Sequence, residues 1–182
     1  MALSVEIQRP IVVVMGVSGV GKTTVARLLA ERLDLPYAEA DDFHPPANIA
    51  KMTAGVPLDD EDRRPWLRAL ADWLGDRAQD GTGGVVTCSA LKRQYRDILR
   101  AGCPDAFFLH LSGGHALIED RLAHRTGHFM PSSLLDSQYA TLEPLQPDEH
   151  GTVLDVAHTP AQLAELAAAA LGPTRAPYRR SL

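Results

Sequence analysis

The chain is predicted to be an α/β protein whose parallel sheet is covered by helices on both faces. Three observations carry that expectation. Apolar, β-branched runs alternate with segments of helical period; the first run passes directly into a glycine-rich turn and a helix; and neither a repeat nor a low-complexity linker divides the 182 residues. Hydrophobic residues make up 45% of the sequence, enough to fill a core of that kind.

Residues 11–15 are continuously apolar, the pattern of a strand buried on both faces. After the glycine-rich turn a helix is predicted over 22–33, with Val25, Leu28, Leu29 and Leu33 on one face. A short second strand over 37–40 ends in acidic residues. Pro45 and Pro46 suit the first turn of a helix, where a missing N–H costs little. Pro65 is likewise expected to open a helix that carries Trp66, Leu67, Leu70, Trp73 and Leu74. Further strands are predicted over 85–88, 106–111 and 153–156. Thr159, Pro160 and Gln162 form a capping-box start for a last helix lined by Leu163, Leu166 and Leu171, and Gly172 ends it. Residues 173–182 read as a solvated tail.

Composition narrows the function classes. A formal net charge of −5 argues against a general nucleic-acid binder. Cys88 and Cys103 cannot make a disulfide framework, which points to a reducing interior. The first ten residues lack a signal-peptide core, and no apolar run is long enough to span a bilayer, so a cytoplasmic protein without a membrane partner is expected.

Gly16, Val17, Ser18, Gly19, Val20, Gly21, Lys22 and Thr23 fit the Walker A pattern G-x-x-x-x-G-K-S/T without exception. Glycines there let successive backbone N–H groups converge on phosphate oxygens, and the helix that follows adds the positive end of its dipole. In that pattern Lys22 neutralises the β- and γ-phosphates of ATP, the Thr23 hydroxyl is a Mg²⁺ ligand, and Thr24 extends the binding segment. A switch GTPase is disfavoured: no N-K-x-D motif exists, and the late D-x-x-G match at Asp148 reads as a loop. The third strand lacks the aspartate that usually ends a Walker B strand. A carboxylate that assists the metal is therefore sought at the end of strand two, where Glu39 and Asp41 are the candidates.

The stretch from Asp41 to Met52 (DDFHPPANIAKM) is similar to the segment of gluconokinases that follows their second strand. The resemblance continues through 57–67 (PLDDEDRRPWL), 88–97 (CSALKRQYRD), 127–131 (GHFMP) and Ser137-Gln138, and covers about residues 11 to 157. Ala40 stands where the family often has glycine, and Phe43 where it often has leucine. The resemblance implies a three-layer P-loop NTPase fold of the nucleoside-monophosphate-kinase type. That means a five-stranded parallel sheet in one kinase domain over residues 1–172, with a mobile lid near 121–138. It further implies ATP- and Mg²⁺-dependent phosphorylation of D-gluconate at its 6-hydroxyl by a homodimer.

On that reading Lys22, Asp41 and Arg125 are catalytic. Arg121 lies along the adenine and Arg125 meets the transferred phosphoryl. Thr23 and Asp41 serve the metal. Arg63, Lys92 and Arg96 are candidates for the substrate carboxylate, and His44, Asp41, His128 and Gln138 for the rest of the acceptor. Arg63, amid Asp59, Asp60, Glu61 and Asp62, equally suits a surface ion pair; Lys92 and Arg96, four apart, equally suit a solvated helix face. Cys88 and Tyr95 read as packing residues.

Overall fold

The computed structural model describes residues 8–126 and 131–172; the expected tail 173–182 and the candidate His128 lie outside them. Five strands are formed: β1 (Ile11–Met15), β2 (Tyr37–Glu39), β3 (Gly84–Thr87), β4 (Phe107–Ser112) and β5 (Gly151–Asp155). They pair in the order β2-β3-β1-β4-β5, parallel at every junction. The helices are α1 (Lys22–Leu33), α2 (Pro46–Thr53), α3 (Asp60–Gln79), α4 (Arg93–Gly102), α5 (His115–Ala123), α6 (Ser132–Thr141) and α7 (Pro160–Leu171). No helix among the described residues is long and apolar enough to cross a membrane.

Alternation along the central strand divides the core. Val12 and Val14 join Leu29, Leu109, Leu111 and Leu163 on the α1 and α7 side. Val13 and Met15 join Leu67, Leu70, Leu74, Leu99 and Phe108 on the α3 and α4 side. Each strand side chain thus has a layer to face, which is why β1 reads as an unbroken apolar run.

Two local expectations are corrected. Pro65 does not open α3 but lies inside it: Asp59 accepts from the Asp62 N–H at 2.8 Å, while the Asp62 carboxylate accepts from the Asp59 N–H at 3.1 Å. That reciprocal cap, with three acidic residues in the first turn, starts the helix ahead of the proline. Leu166 is 40% exposed rather than buried, because Leu163, Ala164 and Ala167 supply the buried face of α7. The start of α7 agrees with its sequence, since Thr159 and Gln162 form the capping box.

Candidate active site

The crossovers from β1, β2 and β3 all leave at the carboxyl edge of the sheet, where parallel α/β proteins gather their chemistry. A cavity of about 600 Å³ opens there. Its wall includes Ser18, Gly19, Gly21, Lys22, Thr23 and Thr24 of the phosphate loop. Glu39 at the end of β2 and Asp41 just beyond it, Trp66 of α3, Thr87 at the end of β3 with Cys88 and Ser89, and Arg121 and Arg125 also line it.

Close backbone approach fixes the phosphate loop. A Cβ on Gly16 (φ +141°) would lie 2.6 Å from the Leu111 carbonyl, and one on Gly19 (φ +87°) 2.8 Å from Leu122 of α5. The Gly16 N–H donates to the Ser89 carbonyl at 3.2 Å, which pins the loop to the segment after β3. Lys22 folds back over the loop, and its Nζ donates to the carbonyls of Gly16 (3.0 Å) and Val17 (3.1 Å). Desolvation lowers its pKa to about 8, with the nearby Asp41 and Glu39 charges acting in the opposite sense. An arriving polyphosphate would give this ammonium the counter-charge that the loop carbonyls only partly supply.

The two carboxylates at the carboxyl end of β2 have different surroundings. Glu39 accepts from the Thr87 and Tyr37 hydroxyls. Burial pushes its pKa up, but hydrogen bonds from Thr87, Tyr37 and Thr23 outweigh burial and hold it below the ordinary carboxylate value. The register that pairs Glu39 with Thr87 across β2 and β3 brings these groups together. Thr87 occupies the end of β3, where a Walker B acid was missing from the sequence, and presents a neighbour's carboxylate in its place. Asp41 is exposed on the cavity wall, and its side chain has no hydrogen-bond partner among the described residues. The donors offered to a cation are thus hard oxygens, from Thr23, Glu39 and Asp41. No three His, Cys, Asp or Glu side chains converge as a ready cage among the described residues. Such a set fits Mg²⁺, which takes one or two protein ligands and fills its shell with phosphate oxygen and water.

Beside the cavity, His44 stacks on Trp66 with ring centroids 4.4 Å apart, and its Nδ1 lies 3.3 Å from the Asn48 amide. Burial lowers its pKa. The Trp66 indole donates to the Ala40 carbonyl at 2.7 Å and so ties α3 to the turn that carries Asp41. Arg63, one turn before Trp66 on the same face, donates to the Tyr95 hydroxyl at 3.2 Å. Lys92 reaches both oxygens of Asp60, at 3.0 and 3.1 Å. Arg63, Lys92 and Tyr95 therefore meet in one cluster, and Tyr95 has a polar role through its hydroxyl that a packing reading left out.

Arg96 does not belong to that cluster. Its side chain is fully buried, and its guanidinium donates to Glu149 (2.7 and 3.0 Å) and to the carbonyls of Ala90, Leu91 and Pro144. No donor remains for a substrate carboxylate, so its assignment as a substrate contact is corrected. The shared face expected for Lys92 and Arg96 also fails, because Lys92 is the extended N-cap of α4 rather than part of its first turn. Gln138 of α6 is likewise engaged. Its carbonyl oxygen accepts from the Ser18 N–H at 2.7 Å, and its amide donates to the Ser18 hydroxyl at 3.1 Å. The structure thus puts Gln138 on the phosphate loop, not among groups waiting for acceptor hydroxyls. Arg121 donates to the Val156 carbonyl at 2.7 Å, which places it at the mouth of the cavity beside the loop after β5. Cys88 is buried and its thiol is pushed up to about 12 by desolvation, so it is a packing group. Sequence reasoning missed Thr87, Tyr37, Trp66 and Asp60; the empty Walker B position was the one signal that led toward Thr87.

A complete phosphate loop, a lysine over it and arginines at the cavity mouth define a P-loop phosphotransferase. The shikimate kinase family model matches residues 18–138. A curated gluconokinase of Gluconobacter oxydans is 54% identical over 137 residues, 75% of this chain and 77% of that protein. Among solved structures, a sugar kinase from a Janibacter species aligns with a TM-score of 0.83 and 55% identity, over 93% of this chain and 99% of that one. A gluconokinase from Sinorhizobium meliloti aligns with a TM-score of 0.80 and 44% identity, over 92% and 94%. The chain belongs to the gluconokinase family, within the wider group that the shikimate kinase model describes.

Proposed function

We propose that this enzyme transfers the γ-phosphoryl group of ATP to the 6-hydroxyl of D-gluconate, giving 6-phospho-D-gluconate and ADP for sugar-acid catabolism and the pentose phosphate pathway. The observation that carries the reading is the position of Asp41, whose unengaged carboxylate shares one cavity with Lys22 and the phosphate loop. The Arg63–Lys92 cluster, whose parts adjoin cavity residues along α3 and the β3–α4 segment, supports an acceptor with a carboxylate.

In the reaction the acceptor oxygen bonds to the γ-phosphorus as the bond to the β–γ bridging oxygen breaks. Asp41 orients the hydroxyl and takes its proton, late, because the transition state is loose. Lys22 and Arg125 face the charge that spreads over the transferred group and its leaving oxygen. Arg121 borders the adenine, and the segment 121–138 acts as a lid that excludes water and limits ATP hydrolysis. Thr23, Glu39 and Asp41 are the residues that would hold Mg²⁺, which when bound neutralises charge on the phosphate oxygens. A homodimer and a cytoplasmic location form part of the same reading.

Coupled ADP release with ATP, Mg²⁺ and D-gluconate tests it, beside shikimate, other sugar acids and a control without acceptor. Saturable turnover confined to gluconate is expected. Turnover with shikimate in place of gluconate would refute the acceptor, and ATP binding without acceptor-dependent turnover would refute the reaction.

A further inference from the structure

The imidazole of His44 is held from two directions. Stacking on Trp66, with ring centroids 4.4 Å apart and planes 14° from parallel, fixes the plane of the ring. Asn48, in the first turn of α2 and 3% exposed, fixes which edge of it turns inward. The Asn48 side-chain nitrogen lies 2.9 Å from the Asp62 carbonyl and 3.3 Å from His44 Nδ1. A backbone carbonyl only accepts, so the group that faces it is the amide NH₂, and the second hydrogen of that nitrogen is left for the imidazole. A ring nitrogen that accepts from an amide carries no proton of its own. In the neutral ring the proton is therefore on Nε2, which has no partner among the described residues and is not a buried atom.

We propose that Asn48 is a positioning residue: it keeps His44 in the Nε2–H form, so that the imidazole gives a hydrogen bond to the acceptor and does not take its proton. Asp41 and His44, three positions apart, both have the chemistry of a base. A ring whose outward nitrogen is already protonated leaves that role to the carboxylate. What it offers is a neutral donor, suited to the oxygen of a polyol. Trp66 lines the cavity together with Asp41, and the ring stacked on it is held beside that wall. An aspartate in place of Asn48 would accept from Nδ1 and turn the lone pair of Nε2 outward, the arrangement that makes a histidine a base. The identity of the acceptor rests on the sugar-acid reading above; the tautomer does not.

Two-bond proton–nitrogen correlation spectra of the nitrogen-labelled full chain, at about pH 8 where an ordinary imidazole is neutral, show which ring nitrogen is bare. The signal missing from His44→Gln identifies the residue. A bare Nδ1 is expected in the wild type, and transfer of the proton to Nδ1 in Asn48→Asp. Asn48→Leu, which has no donor, should show the proton on both nitrogens, so the series is read even if the charged variant folds poorly. A wild-type ring protonated on Nδ1, or a ring unchanged by both substitutions, overturns the proposal. Kinetics separates a donor from a base. In His44→Gln an amide replaces the Nε2–H donor but cannot take a proton, so the gluconate KM should rise about tenfold less than in His44→Leu, with kcat falling by less than about tenfold in both. Equal KM values in the two variants, or kcat lowered by about 10²–10⁴-fold in both, overturn the donor role. Absence of gluconate turnover in a wild type whose Nδ1 is bare overturns the acceptor reading and leaves the tautomer standing.

Discussion

Replacing Arg96 by methionine removes the partner of a buried carboxylate while roughly keeping the side chain's length. Glu149 would lose two charge-assisted bonds, and the carbonyls of Ala90, Leu91 and Pro144 would lose their donor. Among the described residues, Glu149 would keep only the Gln146 N–H at 2.8 Å and Arg93 at 3.8 Å. Breaking a buried pair from one side costs about 3–5 kcal/mol, which for a domain of this size is about 6–20 °C in Tm. The pH dependence has a definite sign. In the wild type, burial raises the Glu149 pKa but the bonds from Arg96 and the Gln146 N–H outweigh it, so the folded value lies below the unfolded one. Its stabilising contribution is present above the unfolded value and is lost as pH falls through the folded value. In the variant, burial dominates and the folded value rises. The deficit against the wild type is therefore largest at neutral and alkaline pH and narrows toward about pH 5. Melting curves followed by circular dichroism at about pH 8 and about pH 5 read this out, and Arg96→Met/Glu149→Leu should recover most of the loss. A single variant that melts within about 2 °C of the wild type, with its gluconate KM raised about a hundredfold, would refute the assignment and return Arg96 to the acceptor site.

Two predictions concern the carboxylates at the carboxyl end of β2. Asp41→Asn should lower kcat by about 10²–10⁴-fold and leave the ATP Kd, measured by calorimetry, within about twofold; near-normal turnover would remove Asp41 from proton transfer. Glu39→Gln should weaken the effect of Mg²⁺ on ATP affinity by about tenfold or more, read from calorimetric titrations with and without the metal in the absence of acceptor. An unchanged metal effect would confine Glu39 to bracing Thr87 and Tyr37.

Much of the framework was legible because its causes are local. The run of 11–15, the Walker A loop and the Thr159–Gln162 cap each carry their signal within a few residues. Pro65 misled because one residue's preference was weighed without the capping box six positions earlier. The site was legible where a motif names its own chemistry, as at Lys22. It was not where function depends on which strands become neighbours. Glu39 meets Thr87 only because β2 lies beside β3, and Arg96 meets Glu149 only because the segment before β5 packs over α4. Neither adjacency leaves a trace in the spacing of residues along the chain. An arginine four positions from a lysine on a basic stretch looks solvated until its distant partner is known.

The Gln138–Ser18 pair fastens the phosphate loop to α6. A side chain 120 positions away in sequence holds the N–H of a phosphate-loop residue, so the loop and α6 are held in common. Any preference that nucleotide shows for one arrangement of Ser18 is also a preference for one arrangement of α6. By linkage, whatever settles α6 returns the same free energy to nucleotide binding. A substitution far along α6 can therefore register as a change in nucleotide affinity, with no contact between the altered side chain and the nucleotide.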